Sequence, residues 1–269
     1  MSLDPVLNIA FYRFLEISNL QEMRVYFKEL CAKHGLRGTM LLSPEGINAY
    51  MAGPIADVRA FQAFLEQDPR WAGLDYKESY SPIIPSRRLL VKIKTAIIPS
   101  GDPELEMSRE LAPRISAQEL KQWLDEKREF HLLDTRNDYE IKEGTFEGAI
   151  DLELKNFRQF PEKLRESTNQ QSNSKQLNPD KPLVMFCTGG IRCEKASLMA
   201  QKAGFKEVYQ LDGGILKYFE ECGDAHYRGG CYVFDQRVAV DPNLQPVYSI
   251  PGPSNRGKAF KAQKSSKPL

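Results

Sequence analysis

The sequence predicts a two-unit α/β protein: a βαββαβ module of α+β type over residues 1–100, then a parallel-sheet α/β unit over residues 113–222. Three observations lead there. At 269 residues the chain exceeds the usual size of one compact domain. A stretch rich in Pro, Gly and charge, Ile98 to Pro113, divides it. Before that stretch the hydrophobic pattern reads as a hairpin flanked by helices; after it, strands alternate with helices.

The elements follow in order. Leu7 to Ile17 is rich in β-branched and aromatic residues and suits a strand. Ser18 and Gln21 have capping-box spacing, and Met23, Phe27, Leu30 and Cys31 then fall on one helical face before His34-Gly35 closes it. Arg37 to Leu42 and Ile47 to Met51 are strands around the turn Ser43-Pro44-Glu45-Gly46. Pro54 suits a first helical turn, and Val58, Phe61, Phe64 and Leu65 follow at helical spacing. Leu89 to Ile93 is expected to be the final strand of a split βαβ, ferredoxin-like (acylphosphatase-like) arrangement.

In the second unit Ser116 and Glu119 form a capping box for a helix carrying Leu120, Trp123 and Leu124. Phe130 to Leu133 is a strand ending in Asp134-Thr135-Arg136, Gly148-Ala149-Ile150 leads another, and Phe157 to Leu164 is expected to be helical. Arg165 to Lys181 is almost wholly polar and reads as a mobile surface insertion. A strand ending at Cys187, a helix over about Glu194 to Ala203, a strand from Glu207 to Leu211 and a helix opening at Gly213-Gly214 complete the unit. Residues 223–269 are expected to form a C-terminal extension, with a strand within Gly230 to Val240. After residue 251 it is basic (Arg256, Lys258, Lys261, Lys264, Lys267) and expected to be disordered.

Composition narrows the class. With 41% hydrophobic and 27% charged residues, no membrane-length apolar run and no signal segment, the expected location is the cytoplasm. Five cysteines, an odd number without a scaffold rhythm, fit free thiols. Net charge is only +1, so attraction to nucleic acid must come from local patches.

The chemistry concentrates at Cys187. A buried-looking strand, Pro182 to Phe186, stops at this thiol; Thr188, Gly189, Gly190, Ile191, Arg192 and Cys193 follow. Open α/β sheets hold their active sites at the carboxyl ends of strands. The glycines let backbone N–H groups turn inward as an anion nest, and the next helix points its positive end at the same spot. A thiol so placed is expected to be accessible and to ionise more easily than a free one at about 8.5. A cysteine packed as a small hydrophobe needs neither a Gly-Gly loop nor an adjacent arginine. The Cys-x4-Arg loop is one residue shorter than the phosphate-enclosing loop of phosphatases, so it suits sulfur: a persulfide held by the loop amides and Arg192. Cys193 lies one residue past the loop and is either a hydrogen-bonding support for it or a resolving thiol for Cys187. Asp134 and Arg136 are expected to form a buried pair supporting the loop.

Asp134-x-Arg136, Gly148-Ala149-Ile150, the Cys187 to Arg192 loop and Leu211-Asp212-Gly213-Gly214 together resemble the rhodanese (sulfurtransferase) domain over about residues 113–222. One departure is Gly144-Thr145-Phe146-Glu147-Gly148-Ala149, where a Gly-His-Ile-x-Gly-Ala signature is usual; a structural role is read for that pair. Adding Gly38 to Asn48, Cys187 to Ser197 and Gly230 to Val238, nearly the whole chain to Asp241 resembles the bacterial oxygen-dependent tRNA uridine-34 hydroxylase family. The resemblance implies oxidation of the wobble uridine at C5 to 5-hydroxyuridine, with O2 as co-substrate, Cys187 as the active cysteine and a tRNA anticodon stem-loop as partner rather than DNA or a membrane. Read without it, the residues favour sulfur transfer, which stays as the alternative. The cysteine-rich tail of many members is lacking, so no zinc-type tail is expected.

No cofactor site is recognisable: there is no dinucleotide fingerprint, and His34, His131 and His226 are far apart and read as structural, so no metal is expected. A cysteine-centred oxidation is the remaining local route. For RNA the best patch is Arg87 and Arg88 with Lys92 and Lys94; at strand period Arg88, Leu90, Lys92 and Lys94 share one face.

Overall fold

Period-two hydrophobic alternation builds the first sheet. The computed structural model describes residues 5–102, 105, 107, 111–168 and 177–248; the basic tail and much of the polar insertion lie outside them. The first unit runs β1 (Val6–Phe14), α1 (Leu20–Lys33), β2 (Arg37–Ser43), β3 (Gly46–Pro54), α2 (Ile55–Glu66), β4 (Lys77–Ser81) and β5 (Leu89–Ile93). Its sheet order is β4-β1-β3-β2-β5. β1 pairs antiparallel with β3 and β4, β2 antiparallel with β3, and β2 parallel with β5. One face buries Leu7, Ile9, Phe11, Met40, Leu42, Ala49 and Val91 against Phe27 of α1 and Phe61 of α2. Each such ring, wholly buried, contributes about 1.5–3 kcal/mol.

Two expectations are corrected. The strand completing the βαββαβ motif is β4, beside β1, whereas Leu89–Ile93 is an added strand on the opposite edge. The α1 N-cap is Asn19, not Ser18, and the Asn19 side chain donates to Glu22 Oε2 at 3.0 Å.

The second unit runs β6 (Arg114–Ile115), α3 (Ala117–Asp125), β7 (His131–Asp134), α4 (Asp138–Ile141), β8 (Gly144–Phe146), β9 (Ile150–Asp151), a 3-10 turn (Phe157–Gln159), α5 (Phe160–Thr168), β10 (Leu183–Phe186), α6 (Ile191–Lys202), β11 (Val208–Leu211), α7 (Gly214–Cys222), β12 (Tyr227–Gly229), β13 (Cys231–Tyr232) and β14 (Ala239–Val240). Its main sheet is parallel throughout, in the order β6-β11-β10-β7-β9. Central strand β10 is apolar at every position because both its faces are covered. Leu183 and Met185 pack with Ala196 and Met199 of α6, while Val184 and Phe186 pack with Leu120 of α3 and Ile215 of α7. The Ser116 hydroxyl caps α3 by accepting from Glu119 N at 3.1 Å. α6 begins at Ile191, earlier than the expected Glu194. The strand expected within Gly230 to Val240 is instead the short β13–β14 pair, and Cys231, Val233 and Val240 join the cluster of Val184 and Phe186 with α3 and α7.

The uncovered face of the first sheet meets the second unit. Consecutive residues of α6 reach across: Glu194 Oε1 accepts from Tyr12 Oη at 2.9 Å, and Lys195 Nζ donates to Glu45 Oε1 and Oε2 at 2.9 and 2.7 Å and to the Ile98 carbonyl at 2.9 Å. Glu45 is held in turn by the Ile97 amide at 2.8 Å. Arg237 adds a bond to Ser79 Oγ at 2.6 Å. Glu45→Ala is expected to strand the Lys195 ammonium, only 4% exposed, and to lower the unfolding free energy by about 2–3 kcal/mol, the Glu45 end being partly hydrated. Lys163→Ala, at an exposed ion pair, is expected to leave the urea midpoint unchanged.

Candidate active site

The parallel sheet delivers Cys187 to the carboxyl end of its central strand, and the next three residues, Thr188 to Gly190, turn the chain into α6. Two glycines make that turn possible. Gly190 sits at φ +99°, where a Cβ would also meet Tyr12 Oη at 2.9 Å. Gly214, opening α7, lies so close that a Cβ would come within 2.4 Å of the Cys187 carbonyl oxygen. Ile215 N donates to the Cys187 carbonyl at 2.9 Å and Leu216 N to that of Thr188 at 3.1 Å, while the Thr188 hydroxyl donates to the Tyr232 carbonyl at 3.3 Å. The loop is thus clamped by the start of α7.

Gly190 N–H donates to Cys187 Sγ at 3.1 Å. Burial opposes ionisation of this thiol, yet a hydrogen bond from the Cys193 thiol, the Arg192 charge and the Arg192 and Gly190 amides outweigh it, drawing the pKa down to about 6. Cys193 moves the other way, pushed well above its ordinary value by burial and by the Cys187 sulfur. Burial alone pushes Cys31 up to about 12, and Cys231 also rises to about 12, chiefly by burial.

Two expectations change here. The sulfur was expected to be accessible, but Cys187 is 0% exposed and only borders a cavity. Arg192 was expected to grip an anion alongside the amides; instead its guanidinium is bound two-pronged by Glu140, at 2.6 and 2.7 Å, both residues buried. It acts on the sulfur through its field. Glu140 was missed, although Asn137 stands before it at capping-box spacing; its carboxylate accepts from Asn137 N at 3.1 Å.

Asp134 and Arg136 lie together under the loop. Arg136 Nε and Nη2 donate to the Asp134 carboxylate at 3.0 and 2.7 Å, and Nη2 also reaches the Gly144 carbonyl at 2.7 Å. Thr145 Oγ1 donates to Asp134 at 2.8 Å, and Phe146 packs edge-on against Phe186 and Tyr218, so the Thr-Phe pair supports the loop from below. Thr135 donates its amide and hydroxyl to the Phe186 carbonyl, at 3.0 and 2.9 Å.

The cavity, of about 410 Å³, lies between the two units. Cys187, Thr188, Gly189, Ile191 and Arg192 form one wall; Thr39, Leu41, Asn48 and Tyr50 of the first sheet form the opposite one; Ile97, Phe157, Arg158 and Phe234 close the sides. Tyr50 and Phe234 rings pack with centroids 5.5 Å apart. Burial pushes the Tyr50 phenol up, so it stays a neutral donor. The first-sheet and side-wall residues of the cavity were not singled out for the site, though Thr39, Leu41, Asn48 and Phe234 lie in two of the stretches that carry the family resemblance.

Arg87, Arg88, Lys92 and Lys94 are exposed. Lys92 pairs with Leu41 and Leu90 with Thr39, so both share the sheet face that walls the cavity. His131 accepts from Asn178 N at 2.9 Å and His226 pairs with Asp125. No His, Cys, Asp and Glu cluster able to hold a metal occurs among the described residues, and no helix among them is long and apolar enough to cross a membrane.

Comparison with known proteins matches residues 6–97 to the UPF0176 acylphosphatase-like domain and residues 116–221 to the rhodanese-like domain. Proteins named tRNA uridine(34) hydroxylase are similar over most of their length. That of Variovorax paradoxus is 46% identical, covering 90% of this chain and 91% of its own. That of Thiobacillus denitrificans is 44% identical, covering 90% and 97%, and that of Cupriavidus necator 44%, covering 90% and 85%.

Iodoacetamide labelling of Cys187 is expected to rise with pH through about 6, because a lowered pKa leaves the thiolate present above that value and lost below it. Cys193 and Cys231 are expected to stay unlabelled at neutral pH. Peptide mapping across a pH series checks this; an inflection for Cys187 at the ordinary thiol value of about 8.5 would contradict it.

Proposed function

The chain belongs to the tRNA uridine(34) hydroxylase family, and on that premise we propose that it oxidises C5 of the wobble uridine to 5-hydroxyuridine with O2, using Cys187. It is a tRNA-modifying oxidoreductase of the cytoplasm. The observation that carries the reading is the placement of an ionisable Cys187 on the wall of a cavity of about 410 Å³, faced by Tyr50 and Asn48, a size and lining suited to one nucleobase.

Bases are reached by extrusion from the stack, at a cost of a few kcal/mol that is smallest in a loop. An anticodon loop offers such a base at position 34. The uracil ring would lie against Tyr50 and Phe234, its carbonyls within reach of the Asn48 amide and the Tyr50 hydroxyl. Lys92 on the edge strand stands beside Leu41 of the cavity wall, with exposed Arg88 and Lys94 flanking that strand, and the three would take the flanking phosphates. The anticodon stem-loop would be the portion of tRNA that lies on this surface. Ligand access to the sulfur requires the cavity walls to part slightly, since Cys187 is fully covered at rest.

The rhodanese-type loop on its own also suits persulfide transfer, and one assay separates the two readings. In cells whose only copy is Cys187→Ser, tRNA hydrolysates are expected to lose 5-hydroxyuridine-derived nucleosides at least tenfold while thiolated nucleosides persist. Loss of the thiolated nucleosides instead would establish sulfur transfer. Unchanged 5-hydroxyuridine would remove Cys187 from the chemistry.

A further inference from the structure

Inserting one atom of O2 into a C–H bond leaves the second atom to be reduced to water, which takes two electrons that the substrate does not supply. The structure places a second sulfur where it could furnish them. Cys193 lies in the first turn of α6, 0% exposed and in the same packed cluster as Cys187. A single peptide residue links the two: Gly190 N–H donates to Cys187 Sγ at 3.1 Å, and the Gly190 carbonyl accepts from Cys193 N at 3.0 Å. On its other side Cys193 Sγ is 3.8 Å from Thr135 Oγ1, whose hydroxyl is bonded to the carbonyl of Phe186, the residue before Cys187. Both cysteines are free thiols. The opposite displacements of their acidities describe a thiolate and a thiol sharing one proton, the usual resting state of a reactive dithiol.

We propose that Cys187 and Cys193 are the reaction's internal reductant, closing to a disulfide once for every uridine hydroxylated. This rests on the hydroxylase reading and gives it an electron source. In the balance, the C5–H and O–O bonds break and a C5–O bond forms. One oxygen atom stays on the base as hydroxyl. The other leaves as water, taking the Cys193 proton and one from solvent, while the two sulfurs lose two electrons and form the S–S bond. A thiol from solution, entering through the cavity, then attacks the disulfide and a second completes the reduction, leaving the external pair oxidised. Cys193 is on this account a catalytic residue, because its sulfur would bond to that of Cys187. The competing role is that of a hydrogen-bond donor that only holds Cys187 ionised.

Cys193→Ser separates these roles, because serine keeps the donor and cannot form a disulfide. The full chain is reduced with dithiothreitol, desalted, and mixed in air with excess tRNA carrying unmodified uridine 34. Wild type is expected to make no more than one 5-hydroxyuridine per chain, to end with a Cys187–Cys193 disulfide by peptide mass mapping, and to resume turnover when dithiothreitol is added. Cys193→Ser is expected to keep the wild-type pH profile of Cys187 alkylation, which also shows the loop is intact, and to form at least tenfold less product without added thiol. Several equivalents of product from thiol-free wild type, or product from Cys193→Ser equal to wild type, would overturn the proposal and leave the hydroxylase reading standing. No product in any arm, dithiothreitol included, would remove the hydroxylase reading and this proposal with it.

Discussion

Two neighbouring residues of one helix, Glu194 and Lys195, tie the two sheets together beside the Cys187 loop, and the cavity wall is set by that registration. They lie within the first turns of α6, whose N-terminus is also the end of the Cys187 loop. Tyr12 bonded to Glu194 and Glu45 bonded to Lys195 therefore register the first sheet against the sulfur itself rather than against some remote part of the second unit. Arg114 and Gln210 complete the shell of Glu194, at 2.7 and 3.3 Å, so its buried charge is compensated from both units. A ferredoxin-like sheet normally offers an open face. Here part of that face becomes a cavity wall and the rest runs outward to the basic edge strand.

The electrostatics of the loop follow from burial. A thiolate in a dry setting is costly unless dipoles and charges are already in place. The structure supplies them at fixed positions: the Gly190 amide, the first turn of α6, the Cys193 thiol and the field of Arg192. Arg192 is held in place by Glu140, and Arg136 below it by Asp134, so neither cation can swing to seize a passing anion. The result is a rigid pocket that favours a sulfur anion. An Arg192 left free would favour phosphate or sulfate.

How much of this was legible depended on whether the signal was local. The Cys187 loop, its strand, the Asp134–Arg136 pair and the Ser116 cap are written in contiguous residues, and the structure places them together. β4 was passed over because Lys77-Glu78-Ser79-Tyr80-Ser81 has no hydrophobic alternation. The sheet face toward which Lys77 turns is covered by the second unit, and Lys77 packs over the Tyr12 ring with 8% exposure. Leu89–Ile93 has the alternation, so it was taken for the motif's last strand; only pairing with β2 reveals it as an addition. The cavity could not be read residue by residue, because Tyr50 and Phe234 come from opposite ends of the chain and meet only after both units fold. Arg192 was assigned to the anion because its partner, Glu140, is brought to it by tertiary packing alone.

The central claim is that the wobble base enters the space between the two sheets. The direct measurement is photo-crosslinking of the full chain to an anticodon stem-loop carrying 5-bromouridine at position 34, with the crosslinked peptides mapped by mass spectrometry. Attachment within the cavity, at Tyr50, Phe234 or Cys187, is the predicted result. Crosslinks found only on residues outside the cavity, with Tyr50, Phe234 and Cys187 unmodified, would contradict it.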